Sequence, residues 1–559
     1  MALDIGRRRL ERAARATRAR GRPTPSVVII GGGLSGLAAG MQLVRSGVTT
    51  FSILEQSAGV GGTWRDNTYP GSACDVPSHL YSFSFFPKSD WSRRFADQPE
   101  ILGYAEACVD HFGLGPHLRF GTTVERADYH ERDGRWHLSV STASGPDSMT
   151  ADAVIFACGQ LNRPLVPDLE GLDGFAGPWW HSARWDHSVD LSGLSVGVVG
   201  SGASAIQFVP PVAAEAERLT IFQRSPNYVG PKKDRAYADR THRLLERSGA
   251  VERAYRWWIY WTLEVRWLWF RRDSWFGRKL GDLFKKGIRN DVVSERLPEP
   301  SVVPDYPVGC KRILISNDWY PALLSEGVVV VDSPVVRVDP DAVVTADGGR
   351  HPVDVLIFGT GFSTTDFLAH IPVTGVGGAT LASEWAEGAR AYLGTMVAGF
   401  PNCYLLYGPN TNLGHNSILF MVERQLNLVL QALAVQTDAM PAGPSMPQEP
   451  AEGPAPVPRV EVDAEAYRRD DRRTQALMAS TVWVSSCHSW YKAASGRVTN
   501  NWPTWTVRYW FDTLRLDRAD LGLVPTDPVG PSVAPDPARN GTAPPLGDRA
   551  TGGRSAPVH

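Results

Sequence analysis

The chain of 559 residues has only six cysteines, Cys74, Cys108, Cys158, Cys310, Cys403 and Cys487, with no Cys-x-x-Cys pair and no metal-ligand spacing. This scarcity argues against a disulfide scaffold, a metal site and a local dithiol redox centre, and it fits a reducing, cytoplasmic setting. Surplus charge is lacking too: 57 Lys plus Arg against 59 Asp plus Glu leave a formal −2, so no overall field favours nucleic acid or an anionic membrane as partner. No integral membrane segment is expected, and no period of 20 to 50 residues repeats. The N-terminal stretch carries eight arginines without the apolar core of a secretory signal, and it reads as a solvated basic helix or arm. Seven prolines between Met440 and Arg459, and the Pro/Gly/Ala-rich stretch after about Leu523, read as flexible because they cannot bury enough apolar surface to offset ordering.

Glycine and tryptophan are plentiful, with 54 Gly and 19 Trp. The glycines are informative by position. Val27-Val28-Ile29-Ile30, a short apolar strand, runs straight into Gly31-Gly32-Gly33-Leu34-Ser35-Gly36 and a helical pattern. In G-x-G-x-x-G, Gly31 permits the tight turn, Gly33 the approach of a pyrophosphate and Gly36 close helix packing. The next strand ends in Glu55, 22 residues after Gly33, where a carboxylate accepts hydrogen bonds from ribose hydroxyls. A second copy follows: Ser195 to Val199, then Gly200-Ser201-Gly202-Ala203-Ser204-Ala205, with Arg224 standing 22 residues after Gly202. A cation there suits a 2′-phosphate, and a carboxylate would repel one. The pair reads as one FAD-like and one NADPH-like site on an α/β chain, which implies hydride transfer from nicotinamide to flavin.

Between the copies lies Phe175-Ala176-Gly177-Pro178-Trp179-Trp180-His181-Ser182-Ala183-Arg184-Trp185-Asp186. It resembles F-x-G-x-x-x-H-x-x-x-W-D, the fingerprint of type I Baeyer-Villiger monooxygenases, a pattern expected by chance at roughly 10⁻⁴ per sequence of this composition. Gly61-Gly62-Thr63-Trp64, Tyr69-Pro70-Gly71 and Asp75, the Arg224-Ser225 pair in FQRSP, Lys311-Arg312, Gly359-Thr360-Gly361, Gly408 to Ser417 and Ser489-Trp490-Tyr491 extend the resemblance over about Val27 to Leu523. After Tyr491 the chain reads KAASGRVTNNWP, a departure from well-known members that leaves the substrate pocket unassigned.

The resemblance implies an NADPH- and O₂-dependent FAD monooxygenase that turns a ketone into an ester or lactone through a C4a-peroxyflavin and a tetrahedral intermediate. Arg312 would hold the developing negative charge and Asp75 would orient Arg312. Thr63, Trp64, Ser204, Ser225, Lys311 and Trp490 would line the cofactors, and Phe175, Gly177, His181, Trp185 and Asp186 would couple the domains. The rivals are an N- or S-oxygenating flavin monooxygenase, an NADPH-dependent disulfide reductase and a non-catalytic flavin-binding protein. The expected layout is a basic arm (1–24), an FAD domain in two parts (25–160 and 343–523, with the proline-rich loop 440–459), an NADPH domain in two parts (161–228 and 311–342) around a helical insertion (229–310), and a tail (524–559). The insertion holds six tryptophans from Trp257 to Trp275. They read first as a packed aromatic helix, second as the wall of a wide substrate entrance, third as an interfacial membrane helix. The last two readings imply a bulky, lipophilic substrate.

Overall fold

The computed structural model describes residues 4–440, 457–487 and 489–524. The flexibility expected of 440–459 and of the 524–559 tail falls almost wholly outside these residues. Ten strands build two parallel sheets: β1 (Val27–Ile30), β2 (Phe51–Leu54), β3 (Leu118–Arg119), β4 (Ala153–Phe156), β5 (Trp179–His181), β6 (Ser195–Val199), β7 (Arg218–Phe222), β8 (Val328–Val331), β9 (Val355–Phe358) and β10 (Cys403–Leu405). The first sheet has the order β10-β4-β1-β2-β3, and the second has β5-β9-β6-β7-β8. The two orders correspond strand for strand, with a glycine turn after each central strand, β1 and β6. Their inner strands VVII, AVIF and VLIF are buried along their whole length, as parallel strands covered on both faces must be.

The sheet pairing corrects one boundary. β9 pairs with β6 and β5, so the chain is still in the second sheet at Phe358 and re-enters the first only with β10, not at 343. The reason is chemical: VLIF and AVIF are interchangeable apolar strands that both end in glycine turns, and only pairing assigns them.

The described part of the N-terminal arm is a basic helix solvated on one face only, with Arg8, Arg12, Arg15 and Arg18 exposed. Its helix, Ile5–Ala19, lies along the long helix Ile418–Ala439 and buries Leu10, Ala13 and Ala14. The Gly6 N–H donates to Asn427 Oδ1 at 2.8 Å and Arg9 to Gln431 Oε1 at 3.0 Å. A Cβ on Gly6 would stand 2.3 Å from the Asn427 carbonyl oxygen, so the close approach needs glycine. The arginine spacing hid an apolar stripe at Leu10, Ala13 and Ala14. As a result, the long helix Ile418–Ala439 is buried nearly all round. Among the described helices it is the one long and apolar enough to cross a bilayer, and 83% of its most apolar window is packed inside the protein.

The insertion is helical, with Asp239–Arg247, Gly249–Glu264 and Trp275–Asp291. Its tryptophans divide. Trp267 is 3% exposed, whereas Trp257, Trp258, Trp261 and Trp275 are 45%, 54%, 40% and 57% exposed. The packed-aromatic reading therefore holds for Trp267 in the turn Val265–Trp269, whereas the helix before it packs by Glu252, Ile259, Leu263 and Glu264 and leaves its tryptophans outward.

Replacing Ala14 by Glu places an unpaired carboxylate in the interface with Ile418–Ala439. We expect a loss of about 3 kcal/mol, read as a lower apparent Tm by calorimetry. An unchanged Tm would show that the arm does not dock.

Candidate active site

A cavity of about 780 Å³ runs between the two glycine turns. Gly31 and Gly200 adopt φ of +109° and +108°, and a Cβ on either would press to 2.7 Å or 2.5 Å from a carbonyl of the neighbouring strand end, Ala157 or Gly359. Gly36 has no room either, since a Cβ would lie 1.9 Å from the Gly31 oxygen, and Ala205 takes the corresponding place in the second turn. The middle glycines differ. Around Gly33 and Gly202 the nearest protein atoms to a Cβ are 3.7 and 3.9 Å away, and both residues line the cavity. No protein contact demands glycine there, which fits turns kept open for the close approach of a ligand.

Glu55 is buried, with Oε2 accepting from the Gly32 N–H and Oε1 from the Ser57 N–H, each at 2.7 Å. These bonds hold the carboxylate at the cavity wall beside the first turn. The second turn has cations instead. Arg224 is exposed at the cavity wall, and Lys311 Nζ donates to Ser225 Oγ at 2.5 Å while lying 4.4 Å from the Tyr306 ring centroid. Burial, then repulsion by Arg224, lowers the Lys311 pKa. Among the described residues neither cation forms an ion pair, so the cluster is poised for an anion.

Asp75 and Arg312, 237 residues apart, meet at the cavity. Arg312 Nε and Nη2 donate to Asp75 Oδ2 at 3.0 and 2.5 Å, and Asp75 is the foremost cause that raises the arginine's pKa. Its other N–H groups have no protein acceptor among the described residues. Asp75 is carried by a loop that docks on the helix Ala205–Glu215. Tyr69 donates to Gln207 Oε1 at 3.0 Å, Gln207 Nε2 donates to the Ala73 carbonyl at 2.9 Å, and Gly71, at φ +80°, passes where a Cβ would meet the Gln207 carbonyl at 2.6 Å. Gln207 was missed from sequence; its only signal is an amide within the apolar run 205–212.

Thr63, Trp64, Ser204 and Trp490 also line the cavity, with Trp64 Nε1 donating to the Tyr81 hydroxyl at 3.0 Å and Thr364 Oγ1 to the Trp490 carbonyl at 3.0 Å. The fingerprint residues do not. Phe175 is core, and a Cβ on Gly177 would stand 2.0 Å from the Asp354 oxygen. Trp185 packs on Tyr69 of the Asp75 loop and on Phe208 of the second unit's helix, clamping one unit to the other. Asp186 closes a local turn by accepting from the Ser188 N–H and hydroxyl. At the end of β5, His181 Nδ1 accepts from the Ala183 N–H at 3.1 Å.

The comparisons accord with this geometry. The model of the flavin-binding monooxygenase-like family matches residues 24–239. Baeyer-Villiger monooxygenases of Streptomyces coelicolor and Pseudomonas aeruginosa are 42% and 38% identical, each over 90% of this chain and 93% of its own. Among solved structures, steroid monooxygenase bound to NADP has a TM-score of 0.76 at 29% identity, and OTEMO in complex with FAD and NADP has 0.77 at 26%, each covering 90% of this chain and 100% of its own. The fold and site thus define a flavin-dependent monooxygenase. Within that class, the chain belongs to the Baeyer-Villiger monooxygenase family.

Burial pulls the His181 pKa down to about 4 from an ordinary 6.5. Between those values the folded imidazole binds fewer protons than the unfolded one, so its share of stability falls as pH drops from 6.5 to 4. The unfolding free energy of wild type minus that of His181→Gln, followed by denaturant titration, should decline over this window. A constant difference would contradict a buried neutral imidazole.

Proposed function

We propose that the chain uses NADPH and O₂ to insert one oxygen atom beside the carbonyl of a ketone, giving an ester or lactone, with Arg312 as the catalytic cation. The observation that carries this reading is the guanidinium fixed by Asp75 at the cavity between two nucleotide turns of opposite charge character. The first turn, with Gly33 open and Glu55 beside it, suits the pyrophosphate and ribose of FAD. The second, with Gly202 open and Arg224, Ser225 and Lys311 clustered, suits the 2′-phosphate of NADPH. When bound, the two cofactors supply hydride transfer and the activation of dioxygen.

The protein's own contribution is electrostatic and positional. Arg312 stays protonated at every working pH, and its free N–H groups face the cavity, where negative charge develops on the substrate oxygen. Asp75 is a positioning residue: its single acceptor oxygen takes two N–H groups and leaves the others for the reaction. Trp64 and Trp490 wall the cavity and exclude water from it. The Trp185 clamp supports a domain-coupling role for the fingerprint at that residue, and the unit boundaries we favour place β9 in the NADPH unit. A disulfide reductase is disfavoured, because the two cysteines that line the cavity, Cys74 and Cys158, are separate free thiols and the bonded pair, Cys310 and Cys487, does not line it.

Incubation with NADPH, O₂ and a panel of linear, cyclic and polycyclic ketones should yield an ester, while a matched sulfide should be the poorer substrate; heteroatom oxide as the only product would overturn the reading. Arg312→Ala should keep FAD but lose ester formation by about 100-fold or more. Arg224→Ala should raise the KM for NADPH at least about tenfold and leave that for NADH little changed. An equal effect on both coenzymes would remove Arg224 from the phosphate site.

A further inference from the structure

Cys310 and Cys487 are joined as a disulfide, their Cα atoms 6.5 Å apart across 177 residues of sequence. One bridge is not the disulfide scaffold that the scarcity and spacing of cysteine argue against, but it is a pairing that the spacing does not reveal, and the other four thiols are free. Burial pushes all four up in pKa, Cys108 and Cys158 to about 12, so each is a poor nucleophile. Cys310 is fully buried and immediately precedes Lys311 and Arg312. Cys487 is half-buried and lies just before Ser489 and Trp490, so both halves of the bridge adjoin cavity-lining residues.

The segment around Cys487 hangs between two buried anchors, Trp483 and Tyr491, while Val484 and Ser486 are exposed. Among the described residues its ties across this span are single hydrogen bonds, such as Ser485 N–H to the Val482 carbonyl, Lys492 Nζ to the Cys487 carbonyl at 3.3 Å and Thr364 Oγ1 to the Trp490 carbonyl. The disulfide is its one covalent tie, and it leads to the two cations proposed to hold the NADPH phosphate and the reacting oxygen.

We propose that Cys310 and Cys487 form a reversible thiol modification site whose oxidation fastens Ser489 and Trp490 over the bound nicotinamide dinucleotide. This rests on the NADPH site proposed above. The oxidant is a peroxide. The half-buried Cys487 thiol attacks one oxygen of hydrogen peroxide, giving a sulfenic acid and one water. The Cys310 thiol then displaces the sulfenic hydroxyl as a second water, and the S–S bond forms. Two thiols lose two electrons and two protons, and one peroxide becomes two waters. A dithiol reductant reverses the step by exchange, leaving two protein thiols and its own disulfide. Hydrogen peroxide is also what an oxygenase releases when NADPH is consumed without oxygen transfer. The latch therefore tightens the grip on the nicotinamide dinucleotide when the reaction leaks.

The holoenzyme would be treated with hydrogen peroxide or with dithiothreitol, alkylated, and digested without reduction for mass spectrometry. A cross-linked peptide pair containing Cys310 and Cys487 is expected only after peroxide. NADP⁺ dissociation, followed by stopped-flow displacement, should be at least about fivefold slower in the oxidised form. Cys487→Ser, at a half-buried position that tolerates a hydroxyl, should release NADP⁺ at the reduced rate under both treatments. Cys310→Ser should do the same. Absence of the cross-link, or equal dissociation rates in the two forms, would overturn the proposal. Ester formation measured on the same samples separates the two claims: ester with equal rates leaves the oxygenase reading standing without the latch, and redox-dependent release without ester from any ketone does the reverse.

Discussion

The forked ion pair between Asp75 and Arg312 is the constraint around which the rest of the molecule is arranged. Each half of it comes from a different nucleotide unit. An arginine needs no help to be charged; what it needs is a direction. Asp75 supplies that direction with one oxygen, and the Asp75 loop is in turn fixed by groups of the second unit: Gln207 beneath it and Trp185 against Tyr69. Removing one partner of such a pair leaves an uncompensated charge at a half-buried site.

Two copies of one strand order are used for opposite purposes. The turns have the same positive φ at the first glycine and the same open side at the middle one, so their backbones make the same offer to a pyrophosphate. The two sites differ in the side chain 22 residues on. A carboxylate tied down by two backbone N–H groups stands at one turn, and two cations without a carboxylate partner among the described residues stand at the other. On the proposed reading, the sign of one residue separates the two coenzymes at a common cavity.

Much of this was legible in the chain because it is local. A strand, a glycine turn and a helix are contiguous, and Glu55 and Arg224 lie at a fixed offset from their turns. Asp75, Lys311 and Arg312 were legible only through family resemblance, since nothing in their spacing brings residues 237 apart together. What escaped notice depends on pairing across distance. β9 could be placed only by its hydrogen bonds to β6. The docking of the arm was masked by its arginines, and the Cys310 to Cys487 bridge spans 177 residues. The six tryptophans of the insertion read first as packed because aromatic residues usually bury, yet Trp257, Trp258, Trp261 and Trp275 are exposed and none of the six lines the cavity.

The central claim, that Asp75 acts by orienting Arg312, is tested most directly by a double-mutant cycle on the rate of ester formation with Asp75→Asn and Arg312→Lys. A lysine lacks the Nε and Nη2 fork that Asp75 grips. The account predicts that Asp75→Asn slows the wild-type enzyme by about tenfold or more but has little further effect in the Arg312→Lys background. The same fold loss in both backgrounds would show that the two residues act independently, and would contradict it.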